Sequence, residues 1–478
     1  MPLDPAPAAT APPGERPAAP PEGRLTIPGR GPAVAAVLTA MTLVVLDAGM
    51  TSLALPTIAS ALGLSPAVAV LVVTAYQTAL LVALLPAAAL GERLGYRRVF
   101  ASGVWLFVVA SVFCAFAPSL PWLVAARALQ GLGGAAILAL GVPLLRFSVP
   151  PERLGAAIGW NALTVALASS AGPGVGALIL SHAEWPWLFG ANIPLGIAVL
   201  VACRQLPVTP PGSQRLDFVS MALSGGMFAG LFIGAQLLLA RPFLAGSLAA
   251  AGLMCLGLLV RREAPKAAPL VPFDLLRQTS LRLSVFASVL CFTGQTAAMV
   301  ALPFYLQQVL GQSASATAVY MMVWPLSVAV TAIAAGRLAD KFSTAWLCAA
   351  GGLILALGLV SAALWPLNED VRPMLLFAAA CGMGFGLFQT PNNRTMFLAA
   401  PLERTAASGG LQGTARLTGQ TAGAVLMTLL FTLAPPGTAP RLGLAIGGAL
   451  ALLAGLVSLL RIRDAPSAKR HCRPDEVY

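Results

Sequence analysis

Two charged side chains in this sequence stand where charge is expensive, and they define the chemistry open to it. Asp47 is the only carboxylate well inside a long apolar stretch, and Arg127 lies inside another. At the centre of a bilayer-spanning helix such a charge costs about 2.5–3.5 kcal/mol, so it is seldom there without a partner or a role. A carboxyl group taken out of water favours its neutral form, and can collect a proton on one side and release it on the other. The plainer alternative is an aspartate that hydrogen-bonds a neighbouring helix. Counting at ~1.5 Å per residue from near Ala33, Asp47 lies ~21 Å in, which leaves ~9 Å of a ~30 Å layer. Arg127, counted from near Pro121, lies ~9 Å from the same edge. The shared depth allows a direct or water-bridged coupling; an arginine that snorkels outward and packs structurally is the other open reading.

A second kind of chemistry is mechanical. Leu90-Gly91-Glu92-Arg93-Leu94-Gly95-Tyr96-Arg97-Arg98 joins two apolar stretches, and Gly336-Arg337-Leu338-Ala339-Asp340-Lys341 is a related turn between two later ones. Gly95 permits a tight turn, while Glu92 and Arg93 can pair with neighbouring helix ends and hold one conformation closed. Alternatively, the bases Arg93, Arg97 and Arg98 only set orientation. The second copy, with Gly336 and Asp340, lacks the trailing glycine and bases and is expected to latch more weakly.

The elements that must position these residues follow from composition. Of 478 residues 58% are hydrophobic and 10% charged, against about a quarter charged in soluble domains. Some fourteen apolar stretches can cross ~30 Å of hydrocarbon, centred near Leu43, Ala79, Phe107, Leu132, Leu167, Ile197, Phe228, Leu253, Leu290, Trp324, Leu355, Gly382, Gly419 and Ala451. They lack the alternation of barrel strands, so the chain is expected to be an all-α polytopic membrane protein. The net charge of +12 does not mark a nucleic-acid binder, because the bases lie in short connections between apolar runs. With a cytoplasmic N-terminus, the outer connections carry only Arg241, Arg372 and Arg441, and the inner ones most of the rest, including Arg146, Arg153, Arg204, Arg215, Arg261, Arg262, Arg277, Arg282 and Arg463. This satisfies the positive-inside rule with both termini cytoplasmic.

Glu92 and Asp340 are 340 − 92 = 248 residues apart, too far for a plain duplication of six spans at roughly 30 residues each. Two extra spans between the halves account for the excess, giving internal repeats of the kind transporters use. The expected division is a Pro/Ala-rich disordered tail (1–30), a six-helix bundle (31–210), two added helices (211–262), a cytoplasmic linker (263–280), a second six-helix bundle (281–463) and a tail (464–478). The seven cysteines form no C-x-x-C pair, and His182 and His471 are the only histidines. No metal site or cofactor is therefore expected.

Several motifs occur in order. Leu46-Asp47-Ala48-Gly49-Met50-Thr51-Ser52-Leu53-Ala54-Leu55-Pro56 lies in span 1, Thr74-Ala75-Tyr76 in span 2 and Arg127-Ala128-Leu129-Gln130-Gly131-Leu132-Gly133 in span 4. Gly172-Pro173-Gly174-Val175-Gly176-Ala177 lies in span 5, and Trp185-Pro186-Trp187-Leu188-Phe189 with Asn192-Ile193-Pro194 leads into span 6. Gln389-Thr390-Pro391-Asn392-Asn393 and Arg416-Leu417-Thr418-Gly419-Gln420 follow later. Over residues 31–463 the chain resembles the major facilitator superfamily, specifically its fourteen-span drug:proton antiporter branch. Ser52 and Gly49 stand where that branch has Asn and Thr, which shrinks two side chains that could face the cavity. The resemblance implies two six-helix bundles plus two central helices, a proton-coupling role for Asp47 and Arg127, and antiport, hence export, from the Gly172, Pro173 and Gly176 motif.

Tyr76, Gln77, Trp160, Asn161, Gln295, Met299, Tyr320, Met321, Trp324 and Gln389 are candidate cavity residues, although each taken singly also suits helix packing. Aromatic and Met surfaces suit large, flat or cationic amphiphiles. The expected function is a monomeric, proton-coupled exporter of hydrophobic or cationic drugs in a bacterial inner membrane, its partners a small molecule, protons and the bilayer. A metabolite exporter or facilitator on the same fold is the alternative. A membrane enzyme is more distant, because no acids, histidines or metal ligands cluster at one membrane face. An ATP-driven pump would need a G-x-x-x-x-G-K-[ST] loop, which is absent.

Overall fold

A computed structural model describes residues 30–209, 216–266, 272, 274–366, 370–399, 405–435 and 437–462. The terminal tails, Arg215, Arg463 and parts of the 211–262 and 263–280 segments lie outside the described residues. Fourteen long helices follow one another: α1 (Arg30–Ala61), α2 (Leu71–Leu94), α3 (Tyr96–Ala115), α4 (Leu120–Ser148), α5 (Pro151–His182), α6 (Asn192–Ala202), α7 (Phe218–Leu237), α8 (Pro242–Glu263), α9 (Thr279–Phe304), α10 (Ala314–Lys341), α11 (Thr344–Leu364), α12 (Pro373–Ala399), α13 (Thr405–Leu433) and α14 (Ala439–Leu459). A short turn, Trp187–Gly190, precedes α6 and completes one segment, Trp187–Gln205. Each of the fourteen expected centres falls in its own helix. Among the described residues, thirteen segments are long and apolar enough to cross a membrane. The exception is α13, with 29 residues long enough but carrying Gln412, Arg416 and Gln420 along its length.

The two halves pack by one scheme. In the first, α2 lies on α4, α4 on α3, α3 on α6, α6 on α1 and α1 on α5. In the second, α10 lies on α12, α12 on α11, α11 on α14, α14 on α9 and α9 on α13. Each label is the first-half label plus eight, six for the repeat and two for the added pair α7–α8. Close approaches repeat as well. A Cβ on Gly131 would strike the carbonyl of Tyr76, and one on Gly382 would strike that of Trp324; here 324 − 76 = 248. The halves meet where α5 packs on α10 and α2 on α13, each contact the mirror of the other in repeat terms. The added pair, α7 and α8, packs together, with α7 also against α2.

One membrane face carries the start of α1 and the arginine-rich connections. Away from it α5 and α10 are in contact: Ser170 Oγ donates to Met322 O at 3.1 Å, and a Cβ on Gly174 would lie 2.8 Å from Met322 Sδ. Toward it they part. Gly155, Gly159 and Gly336 have open space where a Cβ would stand, and Trp160 is 60% exposed. Across the opposite face Gln307 Nε2 donates to Leu53 O at 3.2 Å, tying the end of α9 to α1. Gln307 lies in a π-helical turn, Tyr305–Val309, just past Pro303, whose missing N–H disrupts the α-helical ladder. Between α5 and α10 the halves are closed away from the basic face and unpacked at these positions toward it.

The expected turn at Gly336–Lys341 is corrected. These residues are the last turns of α10, and the chain reverses only at Phe342–Ser343. Leu90–Leu94 is likewise helical, and the turn is Gly95 alone, with φ +95°. The acids stand on helix ends because each helix continues until its backbone leaves the helical region, α2 at Gly95 with positive φ and α10 at Phe342, which is extended.

Candidate functional site

Asp47 and Arg127 are paired directly: Nη1 donates to Oδ2 at 2.6 Å, with both side chains 1% exposed. The buried arginine does not snorkel. Asp47 Oδ1 accepts from Asn192 Nδ2 at 2.7 Å and Gln130 Nε2 at 3.2 Å. Arg127 also donates to Gln130 Oε1 and, through Nε, to Val72 O at 3.2 Å. Gln130 Nε2 reaches Ser111 Oγ at 2.9 Å. The guanidinium lies 4.3 Å from the Tyr76 ring centroid and 5.5 Å from that of Phe189, so aromatic faces replace water around the cation. Five helices converge, because Asp47 is on α1, Tyr76 on α2, Ser111 on α3, Arg127 and Gln130 on α4, and Asn192 on α6. A buried pair repays its desolvation only when the remaining lone pairs are filled, and Asn192 and Gln130 fill them.

Asn192, Gln130 and Ser111 are absent from the candidate residues drawn from sequence. Two had signals. Gln130 is one turn from Arg127 on the same helix, and Asn192 is the amide of the Asn192-Ile193-Pro194 motif. Ser111 had none, since a serine bonded to its own helix backbone, here Phe107 O at 2.7 Å, reads as ordinary packing.

The span 5 motif backs this site. A Cβ on Gly172 would lie 3.1 Å from Gly49 Cα, and one on Gly176 3.1 Å from Met50 Cα, so both glycines let α5 close on α1 beside Asp47. Pro173 Cδ faces Gly49 as well. The expectation that Gly49 faces a cavity is thereby corrected, because a Thr there would meet α5. Ser52 is half-buried and bonds Ala48 O.

The remaining candidates are dispersed. Tyr76 is buried against Arg127, and its hydroxyl has no hydrogen-bond partner. Gln77, Asn161 and Gln295 are half-buried, each with an enclosed side-chain oxygen lacking a partner. Met299 and Gln389 are half-buried, and Met321 is buried. Tyr320 and Trp324 line a small pocket inside the second bundle with Leu302, Phe377, Cys381 and Leu444. Glu92 is exposed and forms no ion pair among the described residues, while Asp340 pairs with Arg394 at 2.6 Å within its own half. Gly95 packs at Thr209, whose Oγ1 accepts from Tyr96 N at 2.9 Å.

The repeat isolates the charge site. α9, which repeats α1 in the second half, carries no Asp or Glu anywhere along Thr279–Phe304. Among the described residues no group of three or more His, Cys, Asp or Glu side chains is arranged to hold a metal ion.

The Major Facilitator Superfamily profile matches residues 37–424 and 284–476. The chain is 41% identical over 460 residues to "Uncharacterized transporter YebQ" of Escherichia coli (strain K12), covering 93% of this chain and 98% of that protein. It is 28% identical to "Riboflavin transporter RibZ" of Clostridioides difficile (strain 630), covering 78% and 81%. It is 29% identical to the "Tetracenomycin C resistance and export protein" of Streptomyces glaucescens, covering 84% and 75%. Among solved structures, a POT family transporter in complex with a thioalcohol-conjugated peptide superposes with TM-score 0.71 at 14% identity, covering 90% of this chain and 96% of that one. At that identity the likeness concerns the fold. The helix order, the repeated packing and the match over nearly the whole chain agree: this chain belongs to the Major Facilitator Superfamily.

Proposed function

We propose that the chain is a proton-coupled exporter of amphipathic, largely apolar organic compounds, of the fourteen-helix drug:proton antiporter kind, working in a bacterial inner membrane as a monomer. Residues 31–210 and 281–463 act as the two moving bundles and 211–262 as an added pair. The arginine-rich face is cytoplasmic, which orients the opening between α5 and α10 to collect cargo from inside. The observation that carries the reading is the Asp47–Arg127 pair, sealed within the membrane on a helix that also touches the far gate. Asp47 and Leu53, whose carbonyl Gln307 holds, are six residues apart on α1, so a change of charge at one is transmitted through a single rigid element to the other.

In the cytoplasm-open state Asp47 is charged, balanced by Arg127 and closed off from the cavity. When the opposite face opens, a proton entering from that side neutralises the carboxylate and removes the charge that holds Arg127. The pair then re-forms as the proton leaves toward the cytoplasm, and the halves close outside. Glu92 and Arg93 bias the closure of the cytoplasmic end. The tetracenomycin C export protein supports export, and the riboflavin transporter supports a flat aromatic cargo. That second relative also favours the alternative of a single-metabolite transporter. The cationic part of the cargo expectation has less support, because the one carboxylate inside the membrane is already engaged by Arg127.

The test uses purified protein in liposomes with an imposed pH gradient and a fluorescent aromatic compound found by a toxicity screen in a pump-deficient strain. Asp47→Asn is expected to insert, since Asn keeps the shape and Arg127 keeps Gln130, Val72 O and two aromatic faces, yet to lose gradient-driven accumulation. Accumulation at the wild-type rate by Asp47→Asn would remove Asp47 as the proton carrier.

A further inference from the structure

α13 is the least apolar of the long helices, and its polar residues are ordered. Gln412, Arg416 and Gln420 recur every four residues, so they form one stripe along the helix. All three are half-buried, and none has a hydrogen bond or ion pair among the described residues. Arg416 is eleven residues from the start of α13, ~16 Å in, near the middle of the membrane. It is half-buried and, among the described residues, has no protein partner for its charge, so at this depth it needs a cavity wall that water or cargo can reach. A lipid-facing arginine at this depth would carry the insertion cost without relief.

The packing of α13 says which cavity. Gly419 and Gly423 press on the backbone of α9 around Val289, Thr293 and Ala297, while Gly410 and Gly413 meet Leu85 and Leu84 of α2 in the other half. At about 100° per residue Arg416 and Gln420 fall between these two packed faces, in the sector where the halves meet, and Gln412 lies at its α9 side. Gln77 is seven residues from Leu84 and so on the same face of α2, and its enclosed side-chain oxygen has no partner. Among the described residues Asp47 is the only acid in the interior of a helix, and it is already paired. The charge left free between the halves is thus a cation.

We propose that Gln412, Arg416 and Gln420 form the cargo-binding stripe of the central cavity, and that the cargo carries a carboxylate, sulfonate or phosphate on a flat apolar body. Arg416 holds the anionic group by charge-assisted hydrogen bonds, and the two glutamines, one turn to either side, hydrogen-bond the adjoining polar edge. The inference rests on the transporter reading and adds the sign of the cargo's charge.

The experiment measures equilibrium binding, without a gradient, to full-length protein in nanodiscs of neutral lipid. Three probes of similar bulk are 8-anilinonaphthalene-1-sulfonate (anionic), N-phenyl-1-naphthylamine (neutral) and ethidium (cationic). Wild type is expected to bind the sulfonate about tenfold more tightly than ethidium, a gap of ~1.4 kcal/mol. Arg416→Gln should weaken the sulfonate about tenfold and leave the neutral probe within about twofold, whereas Arg416→Lys should keep the preference within about threefold. Equal or tighter binding of ethidium, an unchanged sulfonate-to-neutral ratio in Arg416→Gln, or no binding of any probe each overturns the proposal. So does displacement of the sulfonate by phosphatidylglycerol, which would make the occupant a lipid. If the sulfonate binds through Arg416 but a pH gradient does not move it, the exporter reading fails and the anion site stands.

Discussion

Asp47 and Asp217 show how differently two carboxylates are used. Asp47 is buried and survives by accepting from Arg127, Gln130 and Asn192, and α9 in the other half carries no acid. Asp217 stands outside the membrane as the N-cap of α7, accepting from Ser220 N at 3.0 Å and pairing with Lys266 and with Arg262 at 3.1 Å. The Lys266 hydrogen bond, with help from Ser220 and Arg262, holds its carboxyl well below the usual carboxylate range against the opposing effect of partial burial. A depressed carboxyl stabilises the folded state fully above its unfolded value, about pH 4, and that stability is lost as pH falls toward the folded value. Asp217→Asn keeps a capping side chain but loses the ion pairs. Its melting temperature is expected to sit a few degrees below wild type at pH 7, with the gap narrowing below about pH 4. A gap that stays constant down to pH 3 would assign the effect to the cap alone.

Among helices, the crossing of α2 over α4 and its repeat, α10 over α12, are set by Gly131 and Gly382, each under a backbone carbonyl. A carbonyl cannot rotate aside as a flexible side chain can, so overpacking here is expected to cost about 1–3 kcal/mol or more. Gly131→Leu should lower the yield of monodisperse protein in detergent and its thermal midpoint by several degrees. Gly382→Leu, at the matching place, should do the same to a similar extent. A control, Gly159→Leu, faces open space and should be silent in stability. Equal stability of all three variants would mean that the helices can slide apart, and that these crossings are not fixed contacts.

For the whole molecule the decisive property is that α5 and α10, one from each half, touch toward one face and part toward the other. A cysteine replacing Gly159 or Gly336 is expected to react with a membrane-impermeant thiol reagent only from the arginine-rich side, and one replacing Ser170 to be protected in resting protein. A periplasmic reporter fused after Tyr478 should stay silent. Labelling of the Gly159 position from outside intact cells would reverse the orientation. Exposure of Ser170 from outside on imposing a pH gradient would mark the alternate state, because in the proposed export cycle the Ser170–Met322 contact opens.

The residues themselves determined the class, the number and order of helices, and the duplication, because hydrophobic length and the repeat of Glu92 and Asp340 are properties of the chain and need no partner. They also placed Asp47 and Arg127 at one depth, since rise per residue is a property of a single helix. Which way those side chains turn is a property of several helices at once. Only the tertiary structure decided that the two meet directly, that Asn192 of α6 and Gln130 complete the site, and that Gly49 faces α5 instead of a cavity. The same holds for Gly336–Lys341, whose composition suggests a turn but which the packing of α10 keeps helical. Arg416 is the clearest case: in sequence its span begins ambiguously, and its neighbours on α9 and α2 arrive from residues more than a hundred positions away. Azimuth around a helix is settled by what the helix packs against, and those contacts arise only when several helices come together.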